Sequence, residues 1–417
     1  MPTQTEMTPR AAWLLILAAS AILMITMGAR LTTGLFMSPI NTSTGLGIAS
    51  ISFALAVGQF VWGAAQPIFG AVADKYGSAK VIILGAVMLS AGMALTPFVT
   101  SQWGLLLTMG FLSAAGAGAG SFSILIGATA QRLPPERRSF AAGFINAGGS
   151  FGQFVFAPLM QAIISSAGWI VAMLTMAVTT LLTIPLAWPL RRGAGVKKVA
   201  GAPAAKPVEA PGMGLGKQIK IALRNPSYLF LHAGFFTCGF HIAFLVTHLP
   251  GEVALCGLSA GVSATALGLI GLFNIAGSLT AGALSTRYRM KSLLALMYAS
   301  RAVIIIIYLL APKTPMTFYV FAAALGFTWL ATVPPTAGLV GKLFGMRYLS
   351  TLFGLTLLSH QVGGFLGAWL GGLSFVTFGD YTWMWYADIV LAIGAALINL
   401  PIREDHVVRT PAAAAKA

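Results

Sequence analysis

The chain alternates long apolar runs with short polar breaks, and the length of the runs sets the architecture. Crossing the hydrocarbon core of a bilayer takes about 20 apolar residues in helical form. Twelve runs meet that length: 12–39, 50–73, 80–99, 103–130, 140–164, 168–189, 228–250, 261–284, 292–311, 315–341, 349–376 and 382–402. They are continuous rather than alternating at every second residue, so they predict helices and not barrel strands. Arg10 precedes the first run as a base precedes a signal peptide. That run is too long for one and shows no clear small-residue cleavage site, so it counts as span 1. The one long interruption, 191–226, is rich in Gly, Ala and Pro and predicts a flexible cytoplasmic linker. It separates an N-terminal six-helix bundle (1–190) from a C-terminal one (227–403), with a disordered cytoplasmic tail expected over 404–417.

Composition changes the picture in one respect. Of 417 residues only 8% are charged, 34 in number, where a soluble chain of this length would carry roughly 100. A soluble enzyme, a disordered chain and a nucleic-acid reader are excluded. The net charge of +16 would suit a polyanionic partner, but its distribution argues otherwise. With the N-terminus inside, 22 of the 25 Lys and Arg fall in cytoplasmic segments, Lys313 falls outside, and Arg30 and Arg301 lie within spans. The positive-inside rule accounts for that bias. Cys238 and Cys256 are too few for a disulfide framework or thiolate metal site. No Cys/His ligand spacing, P-loop, dinucleotide fingerprint or nucleophile elbow occurs, so no enzyme chemistry, cofactor or metal is expected. The expectation is a multi-pass monomer of a bacterial inner membrane with both termini cytoplasmic, its surroundings lipid and not nucleic acid.

An internal repeat follows. A shift of 211 residues lays Gly28, Arg30 and Pro39 on Gly239, His241 and Pro250, and lays Gly143 and Gly152 on Gly354 and Gly363. A shift of 212 lays Gly70 on Gly282, and Gln66 on Ser278. Two parallel repeats around an axis along the membrane normal place a substrate near the midplane between them.

The loop after span 2 reads Gly70-Ala-Val-Ala-Asp74-Lys75-Tyr-Gly77-Ser-Ala-Lys80, with a degenerate copy, Gly282-Ala-Leu-Ser-Thr286-Arg287, after span 8. With this motif, twelve spans and a central cytoplasmic loop, the whole chain resembles the major facilitator superfamily. The resemblance implies an all-α fold of two pseudo-symmetric six-helix bundles. It also implies a cytoplasmic gate latched through Gly70, Asp74, Lys75, Gly77, Lys80 and Arg287. Gly28-Ala-Arg30-Leu-Thr-Thr-Gly-Leu-Phe36 in span 1, Gly271-Leu-Phe-Asn274-Ile-Ala-Gly-Ser278 in span 8 and Ser359-His360-Gln361 in span 11 are similar to the monocarboxylate porter and oxalate:formate antiporter group. Members of that group often carry an arginine in span 8 where this chain has Ser278.

A charge at mid-bilayer costs about 2.5–3.5 kcal/mol on insertion scales, so intramembrane charges call for a role. Of the nine acids only Asp388 falls well inside an apolar run, the twelfth, at a depth that Arg301 in span 9 can reach. Arg301 and Asp388 are therefore expected to form a structural ion pair. Arg30 is left without a counter-ion, and a substrate carboxylate would supply one, since a guanidinium fork matches it bidentately. His241, the repeat partner of Arg30, is expected to face it across the cavity. His360 and Gln361 in span 11, Asn274 and Ser278 in span 8, and Gln66 in span 2 complete the expected substrate-binding set. The expected function is secondary transport of a small organic anion, a monocarboxylate, with a coupled proton or counter-transported anion. A proton-coupled exporter of drug-like molecules is the alternative, and the absence of a cavity acid weighs against it.

Overall fold

The computed structural model describes residues 8–130, 132–191, 214–345 and 349–405, and among them every regular element is a helix. Twelve helical stretches are long and apolar enough to cross a membrane: Pro9–Thr44, Ile48–Gly70, Ser78–Phe98, Gln102–Thr129, Phe140–Ala167, Trp169–Leu186, Pro226–Leu255, Ala260–Leu284, Met290–Leu310, Pro315–Phe344, Thr351–Phe378 and Thr382–Asn399. They are called spans 1 to 12. Most of the expected linker and nearly all of the expected tail lie outside the described residues. Within the linker range, Leu215–Ala222 is helical, and Gln218 donates to the Phe344 carbonyl at 2.7 Å.

The span starts follow a local rule. Spans 1, 7 and 10 each begin with a capping residue followed by proline: Thr8-Pro9, Asn225-Pro226 and Thr314-Pro315. The side-chain oxygen of each cap accepts a backbone N–H of the first turn at 3.2–3.3 Å. Proline fits there because its missing N–H is one the helix leaves unbonded in any case. Gly77, the second glycine of the loop motif, ends the span 2 helix at φ 99°, a conformation that favours glycine.

Spans 1–6 pack into one bundle and spans 7–12 into another. Span 2 against span 11 and span 5 against span 8 form the seams between them. Small residues let the backbones close: a Cβ on Gly271 would overlap the Ser150 carbonyl, and one on Gly372 the Ser52 side chain. On the face opposite the basic loops, a Cβ on Gly34 of span 1 would overlap the Val246 carbonyl of span 7.

Spans 1, 4 and 10 are not simple rods. Span 1 is helical over Pro9–Leu31, tightens to a 3-10 turn at Thr33–Phe36 and resumes over Met37–Thr44. Span 4 breaks at Gly120–Ser121 and span 10 at Trp329–Thr332, between Pro315–Thr328 and Val333–Phe344. Ser121 and Thr332 stand 211 positions apart, the same shift that relates the two halves in sequence. Span 7 also runs to Leu255, past the apolar run that predicts it. It therefore contains a second acid, Glu252, buried and accepting a hydrogen bond from Tyr308 at 2.7 Å. Lys313, in the loop after span 9, lies 3.9 Å from the Tyr308 ring centroid. Burial lowers its ammonium below the ordinary lysine range, and the Glu252 charge opposes that shift.

The glycines make a direct test of this packing. A Cβ on Gly277 would fall on the Phe327 carbonyl across the span 8–span 10 contact, whereas one on Gly143 meets nothing within 4 Å. Gly277→Val is expected to lower stability by about 1–3 kcal/mol or more. Gly143→Ala should leave it unchanged or slightly raised. Thermal unfolding of both variants in detergent checks the contrast.

Candidate substrate site

Arg30 sits in the last turn of the first helix of span 1, immediately before the helix tightens. Its Nη2 donates to Oε1 of Gln59 in span 2 and to Oε1 of Gln361 in span 11, the latter at 3.3 Å. The guanidinium carbon lies 4.1 Å from the Trp62 ring centroid. Both halves of the protein therefore hold one cation, and they hold it with neutral groups. Among the described residues no carboxylate lies within 4 Å of it.

The Gln361 contact fixes the next link. Its oxygen accepts from Arg30, so its amide nitrogen donates, and it does so to His360 Nδ1 at 2.7 Å. An imidazole that accepts at Nδ1 carries its proton on Nε2. Among the described residues, His360 Nε2 is buried without a hydrogen-bond partner, and so is the indole nitrogen of Trp62. Arg30, Trp62 and His360 line one cavity between the two halves. The rest of its wall is apolar, with Phe122 from the first half and Phe235, Leu330, Val333, Phe353 and Leu357 from the second. Three residues that carry N–H donors thus line this cavity, and among its described lining residues there is no acid. Arg30 and Gln59 also line a second space of about 590 Å³ inside the first bundle, among residues including Leu89, Met93 and Met109.

Gln59 and Trp62 were not singled out in the sequence. The signal was present: Gln59, Trp62, Gly63 and Gln66 fall at i, i+3, i+4 and i+7, a polar and aromatic stripe on an otherwise apolar helix.

Four residues of the expected binding set stand elsewhere. Asn274 and Ser278 do not line the cavity; they tie the span 5–span 8 seam. Asn274 Nδ2 donates to Ser150 at 2.7 Å, and Asn146 Nδ2 donates to Ser278 at 3.0 Å. Asn274 Oδ1 also accepts the Leu330 N–H at 2.8 Å, closing one end of the span 10 break. Gln66 accepts from Ser123 at 3.1 Å within the first bundle. His241 does not face Arg30 in the cavity: its Nδ1 lies 3.0 Å from Asp388 Oδ2 in span 12, both residues fully buried.

The expected Arg301–Asp388 pair is not formed, because each finds a different partner. Arg301 Nη2 donates to the carbonyls of Thr328 and Trp329, which the break in span 10 leaves without helical donors, and Nη1 reaches Cys238 Sγ at 3.4 Å. It serves the backbone and not an acid. In the gate motif, the side chains of Asp74 and Lys75 lie outside the described residues. Gly70 has open space where a Cβ would be, and Lys80 and Arg287 are exposed.

Residues 16–368 match the family model of the Major Facilitator Superfamily. The chain belongs to this superfamily. Among curated proteins of the family, it is 24% identical to the oxalate:formate antiporter of Oxalobacter formigenes, over 94% of this chain and 91% of that one. It is 26% identical to monocarboxylate transporter 13 of Bos taurus, over 93% and 89%. Among solved structures, its fold matches a bacterial homologue of the human lysosomal transporter Spinster, in an inward-facing and unoccupied conformation, with a TM-score of 0.69. That match has 17% identity and covers 94% of this chain and 96% of the other.

The two intramembrane arginines should respond differently to replacement. Arg301→Leu strands two buried carbonyls, each costing about 1–3 kcal/mol. Arg30→Leu strands only the amide oxygens of Gln59 and Gln361, whose side chains can turn. The Arg301 variant is expected to unfold at a clearly lower temperature than the Arg30 variant, as read by thermal unfolding of the purified proteins.

Proposed function

We propose that the protein is a secondary carrier of a small organic anion bearing one carboxylate, which Arg30 receives between the two halves. The observation that carries this reading is the set of residues lining the cavity: Arg30, Trp62 and His360 each carry an N–H donor, and among the described lining residues there is no acid. An ionised carboxylate accepts at about four lone-pair positions and suits such a set. The apolar wall favours an apolar body behind the carboxylate over a second charge, which would have no cation of its own. Two relatives named for oxalate:formate antiport and monocarboxylate transport agree with an anionic substrate.

In this reading the halves rock about the site in alternating access, in a bacterial inner membrane with both termini in the cytoplasm. The break in span 1 beside Arg30 and the break in span 10 at Leu330 supply the movable backbone. The loop motif around Asp74 acts as the gate on the basic face.

Binding of monocarboxylates (lactate, pyruvate, formate, benzoate), oxalate and cationic drugs to the purified protein tests it, because a ligand of the native state raises its unfolding temperature. A monocarboxylate is expected to stabilise the wild type. Arg30→Ala should weaken that binding by about 10–100-fold, as hydrogen bonds to a charged group contribute about 1.5–3 kcal/mol. Arg30→Lys, which keeps the charge and loses the fork, should fall between. Undiminished affinity in a folded Arg30→Ala protein, or stabilisation by cations alone, would overturn the proposal.

A further inference from the structure

Arg30 lines two spaces, and the larger of them is a chamber walled by the first bundle alone, from spans 1, 2, 3, 4 and 6. The chamber's charge is Arg30, and Gln59 beside it adds an amide. The two hydroxyls in the wall are engaged elsewhere. Thr33 Oγ1 donates to the Arg30 carbonyl at 2.9 Å, and Ser113 Oγ lies where a Cβ on Gly92 of span 3 would fall. The rest of the wall is apolar. It carries three methionines from three different spans, Met93, Met109 and Met173, with Phe36 from span 1.

Span 4 departs from regular geometry along this chamber. Leu106–Ser113 is an eight-residue π-helix, the only such segment among the described residues. A π turn bonds residue i to i+5 and is wider than an α turn; such turns are rare and concentrate at functional sites. Met109 and Ser113, both in the segment, line the chamber. The 211-residue shift that lays Ser121 on Thr332 lays this segment on 317–324, inside the ordinary α-helix Pro315–Thr328. The wide turns are therefore not among the features the two halves share. They belong to the half that holds Arg30.

A carboxylate on Arg30 can send its body either between the halves or into the chamber. Trp62 lines the cavity between the halves and not the chamber, and it covers the guanidinium from that side at 4.1 Å. The chamber's walls all belong to one bundle, so a body seated there keeps its contacts while the halves move. The other cavity takes its wall from both halves. Methionine is flexible, and its sulfur makes favourable contacts with the edge of an aromatic ring, so three methionines suit a flat ring. A second charge or a run of hydroxyls on the body would find no partner there, and burying an unpaired polar group is costly.

We propose that this chamber is the subsite for the substrate's body, and that the substrate is an aromatic monocarboxylate with its carboxylate on Arg30 and its ring among Met93, Met109 and Met173. The proposal rests on the anion reading above, and the experiment separates the two. The probe is a benzoate carrying a diazirine para to the carboxylate, photolysed on the purified protein and mapped by peptide mass spectrometry. It is expected to label spans 3, 4 or 6 at or beside these methionines, and excess benzoate should suppress the label. Benzoate-suppressed label confined to Phe235, Leu330, Phe353 or Leu357 of the second half would overturn the chamber subsite and leave the anion reading standing. Benzoate should bind the wild type about tenfold or more tightly than formate, because only its ring gains apolar contact. In protein that still unfolds cooperatively, Met109→Ala should shrink that preference about three- to tenfold. Equal affinity for the two acids, or a preference undiminished in both Met109→Ala and Met173→Ala, would overturn the subsite as well. If formate or lactate binds and benzoate does not, the chamber proposal alone falls. If no carboxylate binds, the anion reading falls with it.

Discussion

A peptide carbonyl inside a bilayer has no water to bond to, and span 10 opens two of them where its helix breaks at Thr328 and Trp329. The rest of the second half is arranged around that need. Arg301 reaches across from span 9 to cover both oxygens, and the Leu330 N–H on the far side of the break is covered by Asn274 from span 8. Broken backbone at membrane depth persists only when buried in protein or lining a cavity, and this break does both. The polar groups that hold it open also place Leu330 and Val333 in the cavity wall. Because Asn274 is bonded at once to the break and to Ser150 of the first half, the position of span 10 is tied to the seam between the bundles.

This constraint explains which parts of the molecule were legible in the sequence. Twelve helices follow from run length alone, because lipid offers no other way to satisfy so long an apolar stretch. The repeat was legible too, and it goes deeper than the glycines that revealed it: the breaks at Ser121 and Thr332 obey the same 211-residue shift. The charges were harder. Sequence places Arg301 and Asp388 at similar depth on neighbouring spans, and opposite charges at similar depth suggest a pair. The break in span 10 does carry a signal, Pro334-Pro335 at the start of its second helix, but nothing in the sequence says which side chain serves the carbonyls it opens. Two carbonyls outcompeted the carboxylate for Arg301, and the carboxylate took His241. His241 departs from its repeat partner for a related reason: Arg30 stands at a helix discontinuity, whereas His241 lies in a continuous helix with a different neighbour.

The candidate site is half visible in the sequence. Arg30, His360 and Gln361 stand out because charge and hydrogen-bonding capacity are conspicuous in apolar runs. Asn274, Ser278 and Gln66 were picked out on the same ground and serve packing instead, since amides and hydroxyls join helices as readily as they meet ligands. Nothing in residue type separates the two uses. The separation comes from partners: Asn274 and Ser278 are bonded to other side chains across the seam, whereas His360 and Trp62 each have an N–H that no protein atom accepts.

The same criterion divides the two arginines. Both are deep, neither has a carboxylate within 4 Å among the described residues, and both lie near aromatic rings. Arg301 is fully buried and serves backbone oxygens that cannot turn away, so its position is fixed by the fold. Arg30 is partly accessible and serves two glutamine side chains, one from each half, which can. On the anion reading proposed above, a cation held by movable neutral groups at the junction of the two bundles has little to lose when an anion arrives. The glutamines can release it or add their amide N–H groups to the ligand, and either response alters the contact between span 2 and span 11. Since that contact is one of the two seams along which the halves meet, occupancy of Arg30 and the relative position of the bundles are properties of the same few atoms. Gln361 carries the connection further, because the amide that bonds Arg30 also sets the tautomer of His360.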